Sequence, residues 1–179
     1  MPLVRPALIL VITAAIVAGA CSRNRKDTAP RASGASATIR DLSGATVGTA
    51  SFTETSAGVL VSGSVTGLGS GTHGIHVHEA GRCDPPFTSA GGHFNPGARQ
   101  HGFRNPNGPH GGDMPNISVP ATGSLRFDLV LSGVTLSGER ALLDGDGASI
   151  VIHEAADDYI TDPAGNSGAR IACGAIVGR

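Results

Sequence analysis

Histidine is concentrated in one stretch of this chain of 179 residues, and its spacing there indicates metal binding. Six of the seven histidines lie between His73 and Asp113. Imidazole is the most common protein ligand for zinc and copper ions. His76 and His78 are separated by one valine, and residues two apart on a β-strand point to the same face. A strand at this position would therefore direct two imidazoles toward one point.

Further candidate ligands lie in a segment with almost no helix or strand pattern. They are His93, His101, His110 and Asp113, spaced singly in sequence rich in Gly, Pro and Asn, while His153 lies in the strand-like run SIVIHE. Three histidines and a carboxylate suit zinc in a closed tetrahedral site, and four nitrogen ligands suit Cu(II) with an open side for a small anion. The alternative is a His-rich surface loop or metal sink, but a sink would show adjacent histidines.

Six motifs give the chain a family resemblance. From about Ala37 to the C-terminus it resembles the copper/zinc superoxide dismutases, through HGIHVHE, SAGGHFNP, QHG, PHGGD, IVIHEAADD and GNSGARIACG in that order. The resemblance implies one copper and one zinc per chain. It implies an enzyme that converts superoxide to O2 and hydrogen peroxide by alternate reduction and oxidation of copper. The implied copper ligands are His76, His78, His93 and His153, and the implied zinc ligands are His93, His101, His110 and Asp113.

The resemblance also implies roles for residues around these ligands. His93 would bridge the two metals and carry a proton, and Arg170 would place a guanidinium beside the open copper position. Asp157 would hydrogen-bond the rings of His76 and His101, as carboxylates near metal-bound histidines commonly do. His73 would be a structural, non-ligand histidine. The alternatives are an ordinary strand-edge arginine at position 170 and a solvated loop acid at position 157.

Three cysteines occur in the chain. Two of them, Cys83 and Cys173, lie in regions that are joined by a disulfide in the family, so the resemblance implies this bond. Closing a loop of about 90 residues contributes up to ~4–5 kcal/mol on the chain-entropy view. Two buried free thiols are the alternative.

Residues 37–179 show period-two patterns without a convincing helical period. The predicted strands are Ala37–Leu42, Thr46–Thr55, Gly58–Thr66, Gly74–Glu79, Asn116–Val119, Ser124–Leu131, Ala148–Glu154 and Arg170–Val177. Short strands punctuated by glycine predict one all-β antiparallel domain, a sandwich or flattened barrel. The resemblance makes this an eight-stranded Greek-key fold with a long metal-binding loop.

Residues 1–20 have the features of a bacterial lipoprotein signal peptide. Arg5 precedes the apolar run Ala7–Ala18, and small residues lead to Cys21. The run is too short to span a bilayer as a mature helix. We therefore expect export, cleavage before a lipidated Cys21, and anchoring to a membrane of the cell envelope, in the periplasm or on an outer face. An ordinary secretory signal and an uncleaved anchor are the alternatives.

Residues 21–36 are predicted to hold the lipidated cysteine and a flexible, polar linker. The linker has four basic residues against one acidic, whereas the domain has eight against thirteen, a net charge of −5. The basic side chains of the linker would either contact the anionic headgroups of a membrane or only aid solubility.

The net negative charge of the domain argues against nucleic-acid binding. A non-catalytic envelope protein that binds copper and zinc is the alternative function. Both a monomer and a homodimer are consistent with the sequence.

Overall fold

The structure is a computed structural model that describes residues 34–138 and 141–179. The predicted signal peptide, Cys21 and most of the predicted linker lie outside these residues. The strands are β1 (Gly34–Asp41), β2 (Thr46–Thr55), β3 (Gly58–Thr66), β4 (Gly71–His73), β5 (Ile75–His78), β6 (Ile117–Val119), β7 (Ser124–Ser132), β8 (Ser149–His153), β9 (Arg170–Ala175) and β10 (Val177–Gly178). Among the described residues there is no helix long and apolar enough to cross a membrane.

The main sheet has eight strands and is antiparallel throughout. Its order is β5-β8-β9-β1-β2-β3-β7, with β10 beside β1, while β4 and β6 form a separate pair. The chain crosses between the two ends of the sheet three times, from β3 to β5, from β5 to β7 and from β7 to β8. Such crossings are typical of Greek-key topology. Strands from both ends contribute to one hydrophobic core, so the sheet curls over itself, and the predicted all-β architecture is confirmed.

Alternating burial explains why these segments form strands. In β3, Val59, Val61 and Val65 are completely buried, and the residues between them are partly exposed. β-branched residues at alternate positions therefore place one apolar face on the core. β8 is buried on both faces, because Val151 on its outer face packs against Phe87 and Ala90.

Short or small-residue segments account for the differences from the predicted strands. β1 begins at Gly34, before the predicted domain start at Ala37. Ala35 pairs with Phe52 of β2 and is buried, although its Gly and Ser neighbours gave no strand signal. β4 is absent from the predicted strands because three residues are too few to show an alternating pattern. The predicted strand Arg170–Val177 is divided into β9 and the two-residue β10.

The long connection between β5 and β6, residues 79–116, is here called the metal loop. It contains one short 3-10 helix, Thr88–Ala90. Its backbone pairs with the free edge of β5. The Phe94 N–H donates to the Val77 carbonyl at 2.8 Å, the Val77 N–H donates to the Gly112 carbonyl at 2.9 Å, and the Gly112 N–H donates to the Phe94 carbonyl at 2.8 Å. The sheet edge thus fixes two parts of an otherwise irregular loop.

A disulfide joins the start of the metal loop to the sheet. Cys83 is bonded to Cys173 of β9, with their Cα atoms 5.6 Å apart across a sequence separation of 90 residues. The predicted disulfide is confirmed.

Gly112 is expected to tolerate no side chain. A Cβ at this position would overlap the Val77 carbonyl oxygen, the atom that accepts the Phe94 hydrogen bond. Since a backbone segment would have to shift, Gly112→Ala should lower the free energy of unfolding by about 1–3 kcal/mol in denaturant titrations. Gly145→Ala is the matched control, because a Cβ there meets nothing within 4 Å. Equal stability of the two variants would contradict the assigned loop pairing.

Removing the disulfide should destabilise the oxidised protein by about 2–5 kcal/mol, because the unfolded chain gains freedom. Denaturant unfolding of the wild type and Cys83→Ser, each with and without reductant, measures this loss. The wild type should lose stability on reduction, and the variant should not respond. A wild type that is indifferent to reductant would show that the bond contributes nothing.

Candidate metal centre

Three buried histidines come from two paired strands of the main sheet. On β5, Ile75 and Val77 point into the hydrophobic core, so His76 and His78 occupy the opposite face. β8 runs antiparallel to β5 and ends at His153. All three histidines are at most 2% exposed.

The metal loop adds two more side chains through its pairing with β5. Isolated bridges place His93 opposite His78 and Asp113 opposite His76. Glu79 holds the same part of the loop, because its Oε1 accepts the Gly92 N–H at 2.9 Å. Backbone pairing therefore brings residues distant in sequence to one edge of the sheet.

Four imidazoles form the first group of converging ligand atoms. His76, His78, His93 and His153 each offer a ring nitrogen, and these atoms lie within 4.8 Å of one another. Each residue has one buried ring nitrogen without a hydrogen-bond partner among the described residues: Nδ1 of His76 and Nε2 of His78, His93 and His153. Buried polar atoms are nearly always paired. Four that lack partners and face one another fit a cation that accepts nitrogen lone pairs.

The other nitrogens of these rings face oxygen acceptors. The His76 Nε2 donates to Asp157 Oδ2 at 3.0 Å, and the His78 Nδ1 donates to the Gly91 carbonyl at 3.0 Å. The His153 Nδ1 lies 3.3 Å from the Gly168 carbonyl. Since these oxygens only accept, the protons reside on the outer nitrogens and the inner nitrogens carry lone pairs. The donor set therefore fits copper, which binds imidazole well.

The second group consists of three imidazoles around one carboxylate oxygen. Asp113 Oδ1 lies 2.9 Å from His93 Nδ1, 3.1 Å from His101 Nδ1 and 3.4 Å from His110 Nδ1. The His93 and His110 Nδ1 atoms are 3.4 Å apart. Around a tetrahedral zinc with bonds of about 2.0–2.1 Å, neighbouring ligand atoms are about 3.3 Å apart. The group therefore fits zinc, and His93 belongs to both groups.

Asp157 joins the two groups from outside. Its Oδ2 accepts from His76 Nε2 at 3.0 Å, and its Oδ1 accepts from His101 Nε2 at 2.9 Å. All three side chains have no exposed area. The carboxylate fixes the tautomer and ring orientation of one histidine in each group, as oxygen acceptors around metal sites do.

Burial keeps three of the four rings in the first group neutral. It lowers the pKa of His78 to about 2, with smaller effects from His93 and from the charge of Arg170. It also lowers the pKa of His153 to about 3 and, despite hydrogen bonding to Asp113, that of His93 to about 4. At neutral pH these rings are unprotonated at the nitrogen that faces the group, which is the form that binds a metal.

The second group behaves differently because its carboxylates are close. Burial alone would lower the pKa of His101, but hydrogen bonds to Asp113 and Asp157 outweigh it and raise this pKa to about 9. Burial would raise the pKa of Asp113, yet hydrogen bonds from His101, His110 and His93 hold it far below its ordinary value. The raised pKa of His101 and the lowered pKa of Asp113 therefore reflect the same close contact between imidazole and carboxylate.

Arg170, at the start of β9, is half-buried and held by the metal loop. Its Nη1 donates to the Phe87 carbonyl and its Nη2 to the Gly91 carbonyl, each at 2.7 Å. The Gly91 oxygen also accepts from His78 Nδ1. One carbonyl thus connects the guanidinium to a member of the first group.

His73 lies outside both groups. Its Nδ1 is 2.8 Å from the His153 carbonyl and its Nε2 is 3.0 Å from the Gly69 carbonyl. The ring supports the end of β8 through the backbone of His153.

Three residues near the site, Glu79, Asn116 and Tyr159, are absent from the site residues predicted from the sequence. Glu79 holds the metal loop, and its position directly after His78 was the one available signal. Asn116 accepts the Asp157 N–H at 2.9 Å through its side-chain oxygen, and its own N–H donates to the Tyr159 hydroxyl at 2.7 Å. Asn116 and Tyr159 carry no local pattern, because their partners are 41 and 43 residues away.

Comparisons with known proteins agree with this geometry. A family profile described as copper/zinc superoxide dismutase matches residues 46–176. The Cu-Zn superoxide dismutase 2 of Aquifex aeolicus is 46% identical over 146 residues, covering 79% of this chain and 85% of that protein. An extracellular Cu-Zn superoxide dismutase of Caenorhabditis elegans is 38% identical over 136 residues, covering 73% of this chain and 60% of that protein. The crystal structure of a SOD-like protein from Bacillus subtilis has a TM-score of 0.76 and 41% identity, covering 78% of this chain and 96% of that chain.

The profile spans most of the chain, and the two buried ligand groups fit the two metals in the family's name. We therefore conclude that this chain belongs to the copper/zinc superoxide dismutase family and is an enzyme that binds copper and zinc.

Proposed function

We propose that this enzyme converts superoxide to O2 and hydrogen peroxide at a copper site bridged to a zinc site by His93. The proposed copper ligands are His76, His78, His93 and His153, and the proposed zinc ligands are His93, His101, His110 and Asp113. The observation that carries the proposal is the set of four buried imidazole nitrogens that face one another without partners. Such a set costs stability unless a cation occupies it.

When bound, copper supplies one-electron redox chemistry and zinc, which has none, orders the second group. The chain passes on one of the two protons that hydrogen peroxide needs, and water supplies the other. His93 Nε2 belongs to the first group while its Nδ1 faces Asp113 Oδ1 at 2.9 Å. Because Nε2 is buried, faces the first group and has no hydrogen-bond partner among the described residues, a proton taken up there can pass to a reduced oxygen species in that group. This makes His93 the proposed proton carrier.

Arg170 is proposed to hold the substrate anion. Its guanidinium is fixed by two carbonyl oxygens of the metal loop, and its charge reaches His78 and His153. The predicted domain carries a net charge of −5 and would repel superoxide, so a local positive field is needed at the site. A planar guanidinium that stays charged at all relevant pH values suits this role.

Metal analysis combined with an activity assay tests the proposal. The purified protein, loaded with Cu²⁺ and Zn²⁺, should hold one of each per chain and should consume superoxide far faster than an equal amount of free copper. A chelator that strips the metals should abolish the activity, and both metals together should restore it. A fully loaded protein with no activity above free copper would support the non-catalytic metal-binding alternative instead.

Arg170→Ala should lower kcat/KM about tenfold, on the order of 1.4 kcal/mol, because one positive charge is lost beside the substrate. Arg170→Glu should lower it further, and Arg170→Lys should restore part of it. The wild-type rate should fall with added salt, since the Debye length is about 10 Å at 0.1 M. Stopped-flow superoxide decay at equal copper occupancy measures these rates.

The control for Arg170→Ala is Arg126→Ala, which changes the net charge equally from an exposed position on β7. It should leave the rate and its salt dependence close to the wild type. If Arg170→Ala behaves like this control, Arg170 has no role in attracting the anion.

We further propose that the protein is exported and anchored to a membrane of the cell envelope. Residues 1–20 would be a signal peptide, Cys21 a lipidated N-terminus, and the following residues a linker to the enzyme domain. The disulfide supports export, because such bonds persist in oxidising compartments. The extracellular relative agrees with this compartment. The basic linker would contact anionic headgroups.

Cys21→Ser should move the protein from the membrane fraction to the soluble fraction, because the lipid can no longer be attached. Cell fractionation and intact-mass analysis of the wild type and the variant measure this change. A wild type that carries no lipid, together with a variant that remains in the membrane fraction, would rule out the lipoprotein assignment.

A further inference from the structure

A second carboxylate of the connection between β8 and β9 lies against the second group, the proposed zinc site. The Asp162 Oδ1 accepts the backbone N–H of His101 at 2.6 Å. The same oxygen lies 3.8 Å from the Nε2 of His110. This distance is too long for a direct hydrogen bond but short enough for electrostatic attraction. One carboxylate oxygen therefore faces two of the three histidines in the second group.

The geometry at His110 shows which of its nitrogens Asp162 faces. The Nδ1 points into the second group, 3.4 Å from both Asp113 Oδ1 and His93 Nδ1. Its Nε2 is therefore the outer nitrogen, which carries the proton when Nδ1 binds a metal. Among the described residues, Asp162 has the one carboxylate within 4.0 Å of this nitrogen.

Asp162 thus faces the outer nitrogen of His110 from the same connection that contains Asp157, but at 3.8 Å and without the direct hydrogen bond of 2.9 Å that joins Asp157 to His101. The two carboxylates differ in exposure, because the Asp157 side chain is fully buried whereas that of Asp162 is 46% exposed. Solvent screens the charge of Asp162, so a larger share of its effect should come from holding the His101 backbone. Asp157 and Asp162 both lie in the connection between β8 and β9, and both contact His101 of the metal loop.

We propose that Asp162 is a positioning residue for zinc, which sets the metal loop at His101 and orients the outer nitrogen of His110. This inference rests on the proposed function, since it takes His101 and His110 as zinc ligands. Oxygen acceptors behind metal-bound histidines typically change metal affinity 10–100-fold when they are removed. Among the described residues, no member of the first group contacts Asp162. Loss of the Asp162 carboxylate should therefore weaken the binding of zinc and not that of copper.

The test measures metal affinity rather than activity. Zn²⁺ and Cu²⁺ affinities of the metal-free protein are determined by competition with chelators for Asp162→Ala, Asp162→Asn and the wild type. Asp158→Ala is the matched control, because Asp158 accepts hydrogen bonds within the same connection, from Ile160, Thr161 and Asn166. Co²⁺ placed in the zinc group adds a spectroscopic readout, since its visible absorption depends on ligand geometry.

Asp162→Ala should weaken Zn²⁺ binding about tenfold, change the Co²⁺ spectrum and leave Cu²⁺ affinity within about twofold. Asp162→Asn should recover part of the loss, because its amide oxygen can still accept the His101 N–H. The inference is overturned if Asp162→Ala binds Zn²⁺ like the wild type, if Asp158→Ala loses as much, or if Cu²⁺ affinity falls in parallel.

His110→Ala separates this inference from the proposed function. If that variant loses Zn²⁺ while Asp162→Ala does not, the zinc ligands stand and the role of Asp162 is wrong. If His110→Ala also keeps Zn²⁺ affinity, the proposed zinc ligand set is wrong, and the inference about Asp162 is overturned with it.

Discussion

The structure depends on a set of buried imidazole lone pairs that converge as the ligands of a metal cation do. Four histidines turn one unpaired nitrogen each toward a common point, and three imidazoles surround a single oxygen of Asp113. A hydrophobic core would not tolerate this arrangement, because unpaired buried polar atoms cost about 1–3 kcal/mol each. Metal binding converts that cost into stabilisation, and so joins folding of the metal loop to function.

The sheet gives an irregular loop the order that such a site requires. Among the described strands, β5 and β8 carry the proposed ligands His76, His78 and His153, and the remaining proposed ligands lie in sequence rich in glycine and proline. Pairing of residues 94 and 112 with Val77 and the Cys83–Cys173 disulfide attach that loop to the sheet at separate points. Asp157 then connects the first and second groups through His76 and His101. The sheet therefore fixes the base of the site, and the Gly91 carbonyl connects Arg170 to His78.

Local patterns in the sequence predicted the main strands well and indicated the histidines that the structure brings together. β2 and β3 have the predicted bounds, because β-branched residues alternate along them. His76 and His78 lie on one face, as their spacing required. The family resemblance, rather than spacing, identified Asp157, Arg170 and the disulfide partners.

Other features of the structure had no local signal in the sequence. The start of β1 at Gly34 depends on pairing of small residues with β2, which composition alone assigns to a linker. The contacts of Glu79, Asn116 and Asp162 join segments separated by 13, 41 and 61 residues. Such pairs become visible only when the sheet has brought the metal loop and the connection after β8 together.

Anomalous diffraction from crystals of the metal-loaded protein, recorded on both sides of the copper and zinc absorption edges, would locate each metal. We expect a copper peak among His76, His78, His93 and His153, and a separate zinc peak among His93, His101, His110 and Asp113. His93 should lie between the two peaks. A single metal position, or peaks away from the four unpaired nitrogens, would contradict the proposed metal sites.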